Sequence, residues 1–308
     1  MRSSLKVRLM MSLKAAAAAL AALAMATCGG PGDPPAKKTA APAMWKVGDA
    51  DTTVYLFGTV HVLPPDLKWR TAAIDKAMNE AKAVYFETDI DPDPRELLPF
   101  IQQLGMYGPS DRLSDHLKPE DRAMLAKVAG ELGTPMPMLD TMRPWLAGVT
   151  LSEQMITKAG YDVNSGVERK LEPDAKAAGK EIRKLETVTD QLRVFADLPE
   201  EVQIRFLVEG LKEIETESAI LDDMVNAWAV GDIAKLDKIM IQDDLAETPE
   251  IYEALLVNRN KNWVVKLDEL IRTEPGTFFV AVGAAHLIGK DGVPTRLEPL
   301  GYKPERIE

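Results

Sequence analysis

A chain of 308 residues, with 46% hydrophobic side chains and a single cysteine, is long enough to bury a substantial core without any disulfide or cysteine-built metal site. Its 37 Lys and Arg against 48 Asp and Glu leave a formal net charge of −11, which argues against nucleic acid and anionic membrane surfaces as partners. Peptides or small molecules remain as substrates.

Residues 1–28 read as an export signal. Arg2, Lys6, Arg8 and Lys14 form a basic region, and Ala15 to Ala26 an apolar Ala/Leu core shorter than the roughly 20 residues a membrane-spanning helix needs. The segment carries four basic and no acidic residues, so its loss takes the charge from −11 to −15 (−11 − 4). Two processing routes are open. Ala24-Met25-Ala26 is an A-x-A cleavage box, whereas Cys28, ahead of Gly29-Gly30, stands where a lipoprotein cysteine is acylated and would supply the only membrane anchor. Both place the protein in the periplasm or envelope. Residues 29–43 (GGPGDPPAKKTAAPA) read as a flexible tether, and residues 44–308 as one domain.

Met44–Val47 and Thr52–Gly58 are β-type runs separated by Gly48-Asp49-Ala50-Asp51, which predicts a hairpin. The second run leads into His61, and Pro64-Pro65 breaks it. Arg70–Lys82 has helical spacing, and Ala83–Phe86 returns to strand and ends at Glu87. From Pro94 to about Asn262 the pattern is almost wholly helical. Apolar residues recur at three- and four-residue spacing over Leu97–Leu104, Pro119–Leu132, Pro144–Ala159, Val167–Ala178, Thr189–Phe195, Glu200–Asn226 and Ile233–Met240. Lys180–Thr187 interrupts it as a short strand carrying Glu186, and Gly231-Asp232 is a helix stop and restart. After Pro275-Gly276 comes a last buried strand, Thr277–Val282, then His286, a helical turn and a short edge strand. The fold class is α/β (α+β-like): a small central sheet built from both chain ends, with a large helical insertion at about 94–262.

Two of the three histidines follow a glycine by three positions, in Gly58-Thr59-Val60-His61 and Gly283-Ala284-Ala285-His286. His61, Glu87, Glu186 and His286 each end a predicted strand, and in an open α/β sheet such residues face one crevice. Two imidazoles with one or two carboxylates suit a divalent ion such as Mn, Co or Zn, whose open position would activate water. The glycines leave room where backbone passes close to an ion or substrate. His61, His286, Glu87 and Glu186 are thus candidate metal ligands, with Glu87 also a candidate general base. Arg143, ahead of Pro144-Trp145, is a candidate oxyanion stabiliser. Plainer readings stand beside these: a satisfied core or capping histidine for His61 and His286, a helix-start acid for Glu87, an exposed acid for Glu186, a surface residue for Arg143. His116 reads as a solvent-facing residue at a helix start, and Arg70 and Arg296 are weaker charge stabilisers. There is no Gly-x-Ser-x-Gly elbow, Gly-rich phosphate loop or His-Glu-x-x-His helix, which sets aside serine-hydrolase, nucleotide and zincin chemistry. The 14 Met allow an apolar cleft, though Met at helical spacing is more often core.

Phe57–Pro64, Val84–Asp89 and Val282–Gly289 resemble the signature blocks of the TraB/GumN (Tiki-like) family. So do Gly166-Val167, Ala175–Lys180, Leu185-Glu186-Thr187, Gln191, Phe195, Leu198-Pro199 and Leu300-Gly301-Tyr302, in order, over about residue 44 to the end. The resemblance implies an α/β fold whose paired Gly-x-x-His motifs and strand-end Glu form one site, with His61, Glu87, His286 and, less closely, Glu186 at the motif positions. Many relatives carry Asp where Glu168 follows Gly166-Val167. Animal Tiki members are divalent-metal-dependent proteases. The expectation is therefore an exported metal-dependent hydrolase acting on a peptide bond. The alternatives are a metal-independent, erythromycin-esterase-like hydrolase, in which a histidine activates water and Glu87 orients it, and a non-enzymatic haem- or ligand-binding envelope protein with the helical insertion as a lid.

Overall fold

The structure, a computed structural model, describes residues 40–213, 217–242 and 248–308. The export signal, Cys28 and residues 29–39 of the tether lie outside the described residues. Six strands, β1 (Met44–Gly48), β2 (Thr52–Thr59), β3 (Ala83–Phe86), β4 (Glu181–Lys184), β5 (Gly276–Gly283) and β6 (Glu305–Arg306), form one sheet in the order β4-β3-β5-β2-β1-β6. β4, β3, β5 and β2 are parallel, while β1 pairs antiparallel with both β2 and β6.

Residue type explains which strands sit at the centre. β2 (TTVYLFGT) and β5 (GTFFVAVG) are nearly continuous runs of β-branched and aromatic residues and are buried along most of their length, as befits strands covered on both faces. β5, almost the last element in the chain, inserts between β2 and β3, so the sheet cannot close until both ends of the domain are present. The expected hairpin forms with Met44 opposite Phe57. The parallel register sets Thr59 beside Gly283, Phe86 beside Ala281 and Lys184 beside Phe86, so four strands finish at one edge.

Between β2 and β3 runs α1 (Ala72–Glu80), capped by Thr71. The insertion supplies α2 (Pro94–Gly105), α3 (Pro119–Leu132), α4 (Pro144–Lys158), α5 (Val167–Ala177), α6 (Val188–Ala196), α7 (Glu200–Glu213), α8 (Glu217–Ala229) and α9 (Asn258–Thr273). Among the described residues no helix is long and apolar enough to cross a membrane. One boundary differs from expectation. The final helix continues to Thr273 rather than ending near Asn262, because Trp263, Val264, Leu267, Leu270 and Ile271 extend its buried stripe beneath a heavily charged outer face. Lys238–Gln242 and Glu253–Val257 form π-helical turns, a rare geometry that is frequent at functional sites.

The main core packs around the sheet. Phe57 lies between Trp69, 6.1 Å away, and Phe279, 5.8 Å away, and Trp69 meets Trp228 at 6.2 Å. A smaller cluster, including Leu125, Leu139, Leu151 and Leu207, holds the outer insertion helices together. Through Trp69, Phe57 links the sheet to Trp228 of the insertion, and it is fully buried. Phe57→Ala should lower the unfolding free energy by about 3–5 kcal/mol in urea denaturation, and a loss below about 1 kcal/mol would contradict this packing.

Candidate active site

The strand ends deliver the expected residues. His61 lies two residues beyond β2, Glu87 one beyond β3, Glu186 two beyond β4, and His286 in the 3-10 turn Ala284–Leu287 after β5. Above this edge is a cleft to which His61, Glu87 and His286 all contribute. The Glu186 side chain is only 8% exposed and lies close by, with its backbone N–H donating to the Glu87 carbonyl at 2.9 Å. It is thus no exposed acid.

The group that gathers these residues is Arg259 of α9. Its Nη2 donates to Glu87 Oε2 at 2.5 Å and to Glu186 Oε1 at 2.6 Å, and its Nε lies 3.1 Å from both Glu186 oxygens. Its Nη1 donates to the Leu255 carbonyl at 3.2 Å and to His286 Nε2 at 2.9 Å. All five guanidinium N–H groups therefore have acceptors, which is what a buried cation requires. The guanidinium carbon sits 4.8 Å from the Trp263 ring centre, and Trp263 Nε1 donates to Glu186 at 3.2 Å.

Neighbours also dictate the tautomer of His286. Asn260 donates its amide to the Asp291 and His286 carbonyls, at 2.8 and 3.4 Å, so its Oδ1 is left to accept from His286 Nδ1 at 2.6 Å. His286 Nε2 then accepts from Arg259. Burial, seconded by the Arg259 charge, pushes the imidazole down to about 3, so His286 is neutral and both its nitrogens are occupied.

His61 is set up differently. Gly166, at the start of α5, lies so close that a Cβ there would come 2.1 Å from the His61 carbonyl oxygen. Val167 N–H donates to the Val60 carbonyl at 3.1 Å. This approach brings Glu168 onto His61 Nδ1 at 2.7 Å, and Thr59 Oγ1 donates to the same carboxylate. Burial would lower the His61 imidazole, but the charge and hydrogen bond of Glu168 and the charge of Glu87 outweigh it and raise the group to about 9. His61 Nε2 faces the cleft. A Cβ on Gly283 would lie 3.4 Å from this nitrogen, 3.1 Å from Glu87 Oε1 and 3.7 Å from His286 Cδ2, so the three groups converge just off a glycine.

Burial raises Glu87, but Arg259 first, then neighbouring positive charge and the Gly283 N–H at 2.7 Å, hold its carboxyl far below the usual range. Burial pushes Glu186 upward, against the pull of Arg259. As arranged, this donor set does not fit a divalent ion. His286 Nε2 and Glu87 Oε2 are bound by a guanidinium lying where an ion would bridge the strand ends, and a second cation there would be repelled. Among the described residues no group of three or more His, Cys, Asp or Glu side chains is gathered to hold a metal.

The other candidates fall elsewhere. Arg143 is not among the cleft-lining residues; it packs over the Tyr107 ring at 5.3 Å and lies 3.9 Å from Glu200. A charge at the start of α4 reaches the neighbouring helix α7 rather than the strand edge. Instead of facing solvent freely, His116 stacks on Tyr107 at 4.8 Å, between Asp111 and Glu200. Arg70 pairs with Asp75 and Asp174, and Arg296 with Asp291 at 2.5 Å. Sequence reasoning missed Arg259, Asn260 and the role of Glu168. One signal was present: Arg259 and Asn260 are the polar pair within the otherwise apolar stripe Leu255, Leu256, Trp263, Val264, Leu267 of a single helical face.

The model of the TraB/PrgY/gumN family matches residues 43–306. The uncharacterized protein YbaP of Escherichia coli (strain K12) is 24% identical over 243 residues, covering 79% of this chain and 87% of that protein, and the uncharacterized protein YbaP of Shigella flexneri matches to the same extent. No solved structure matches the chain.

Because Glu168 holds the imidazole of His61 above its ordinary 6.5, at about 9, the pair adds stability that is complete below pH 6.5 and disappears as pH rises through 9. Glu168→Gln should bring the His61 titration, followed by NMR, down toward neutrality and flatten the loss of stability between pH 6.5 and 9. An imidazole that still titrates near 9 in the variant would contradict the pairing.

Proposed function

The chain belongs to the TraB/PrgY/gumN family, and on that premise we propose that it is an exported hydrolase of acyl bonds in which His61 activates water without a metal ion. The carrying observation is the convergence of His61 Nε2 and Glu87 Oε1 on one point beside Gly283, at the floor of the cleft. Export rests on the signal pattern of residues 1–28.

A water over Gly283 meets two acceptors. One of its protons is directed to Glu87 Oε1 and the other to His61 Nε2, which leaves an oxygen lone pair for the substrate carbonyl. As the new C–O bond forms, His61 Nε2 takes the proton, and the resulting imidazolium is stabilised by Glu168 on the other nitrogen. His61 then returns that proton to the departing alcohol or amine as the acyl bond breaks. Glu87 keeps its charge throughout because Arg259 opposes its protonation. His286 takes no proton: it holds Arg259 in place. A haem-binding role has less support, since of the four ring nitrogens on the two cleft histidines only His61 Nε2 is free of a protein partner.

A protonated His61 cannot act as base, so kcat/KM for p-nitrophenyl acetate or acetanilide should rise with pH and level off near 9. His61→Ala should lower it about 10²–10⁴-fold. Turnover that survives His61→Ala, or no turnover of either compound by the wild type, would overturn the proposal.

A further inference from the structure

The cleft has two unlike halves. Its floor, at the strand edge, carries His61, Glu87, Arg259 and His286, and its far wall comes from the helical insertion. That wall consists of Ile156, Leu221, Met224, Met240, Leu255 and Leu256. They come from α4, α8 and the two π-helical turns, and among the described residues no polar or charged side chain of these segments lines the cleft. Separate elements thus converge on one apolar surface facing the reacting groups.

Two further observations limit what this surface can hold. The five N–H groups of Arg259 are all taken by protein acceptors, and His61 already faces Glu168. With His61 neutral, as the hydrolysis requires, no cation among the described lining residues is left free for a substrate carboxylate or phosphate, while Glu87 contributes negative charge. A peptide laid along the far wall would find no side-chain partner for its amides among the described lining residues, and unpaired buried amides are costly. Unbranched Met side chains, by contrast, adapt readily to an alkyl chain.

Resting on the hydrolase reading above, we infer that the substrate is an uncharged ester or amide of an aliphatic carboxylic acid, with its carbonyl at the strand edge and its alkyl chain against the insertion wall. The alcohol or amine side leaves toward the cleft mouth.

The test uses the full exported protein and p-nitrophenyl acetate, butyrate and hexanoate, beside the anionic mono-p-nitrophenyl ester of glutaric acid. Each added CH₂ that enters the wall is worth up to about fourfold in kcat/KM, so hexanoate should exceed acetate by at least about tenfold, and the anionic ester should fall at least about tenfold below its neutral counterparts. Met240→Gln and, separately, Met224→Gln should shrink the hexanoate-to-acetate ratio. Acetate turnover with no gain on chain lengthening, or with a preference for the anionic ester, would overturn this inference and leave the hydrolase reading intact. Silence toward every ester and toward acetanilide would instead strike the hydrolase reading itself, and this one with it.

Discussion

A buried guanidinium holds this site together. Arg259 ties the ends of β3 and β4, the π-helical turn at Glu253–Val257 and the turn after β5 into one unit, through Glu87, Glu186, the Leu255 carbonyl and His286. A buried ion pair is weak evidence of net stability, but removing one partner strands the others' charges in a poor solvent. Glu87 lies close enough for its charge to push Glu186 upward, and Arg259 is the cation that lets them share the strand edge. It does with an organic cation what a divalent ion would have done with the same ligands, which is to draw residues from distant parts of the chain onto one point.

Around that cation, two matched motifs become unlike residues. Gly58-x-x-His61 and Gly283-x-x-His286 read alike, yet one imidazole is raised to about 9 and the other lowered to about 3. The difference lies in their neighbours. His61 faces the carboxylate of Glu168, brought there by the close approach of Gly166, while His286 faces the guanidinium and an amide. The motifs therefore divide the labour: one imidazole can exchange a proton, and the other anchors the charge that keeps Glu87 ionised. The glycines serve the geometry in two ways. A Cβ on Gly58 would come 3.2 Å from the Ala284 Cα, and one on Gly283 would intrude among Glu87, His61 and His286.

Much of this was legible in the chain. The hairpin, the buried strands and most helices follow from apolar spacing, and the strand-end positions of His61, Glu87, Glu186 and His286 follow from where those runs stop. What was not legible depends on pairing across the fold. Glu168 sits in a charged helix start and gains meaning only when Gly166 meets the His61 backbone. Arg259 sits in a wholly polar segment, NRNKN, whose inward face shows only when counted against Leu255, Leu256 and Trp263. Arg143 drew attention because it precedes a helix, yet its charge is used against Tyr107 and Glu200 on the outer insertion. The π-helical turns that carry Met240, Leu255 and Leu256 leave no mark in apolar periodicity: Leu255 and Leu256 keep the three- and four-residue spacing of the stripe that continues to Trp263.

The most direct test of whether Arg259 replaces a metal ion is elemental analysis of the purified protein after reconstitution with Mn, Co and Zn, beside Arg259→Ala. The wild type should retain no stoichiometric metal after dialysis, and its turnover should withstand exhaustive chelation. About one equivalent of a divalent ion retained by the wild type, lost on substituting either His61 or His286, would contradict this.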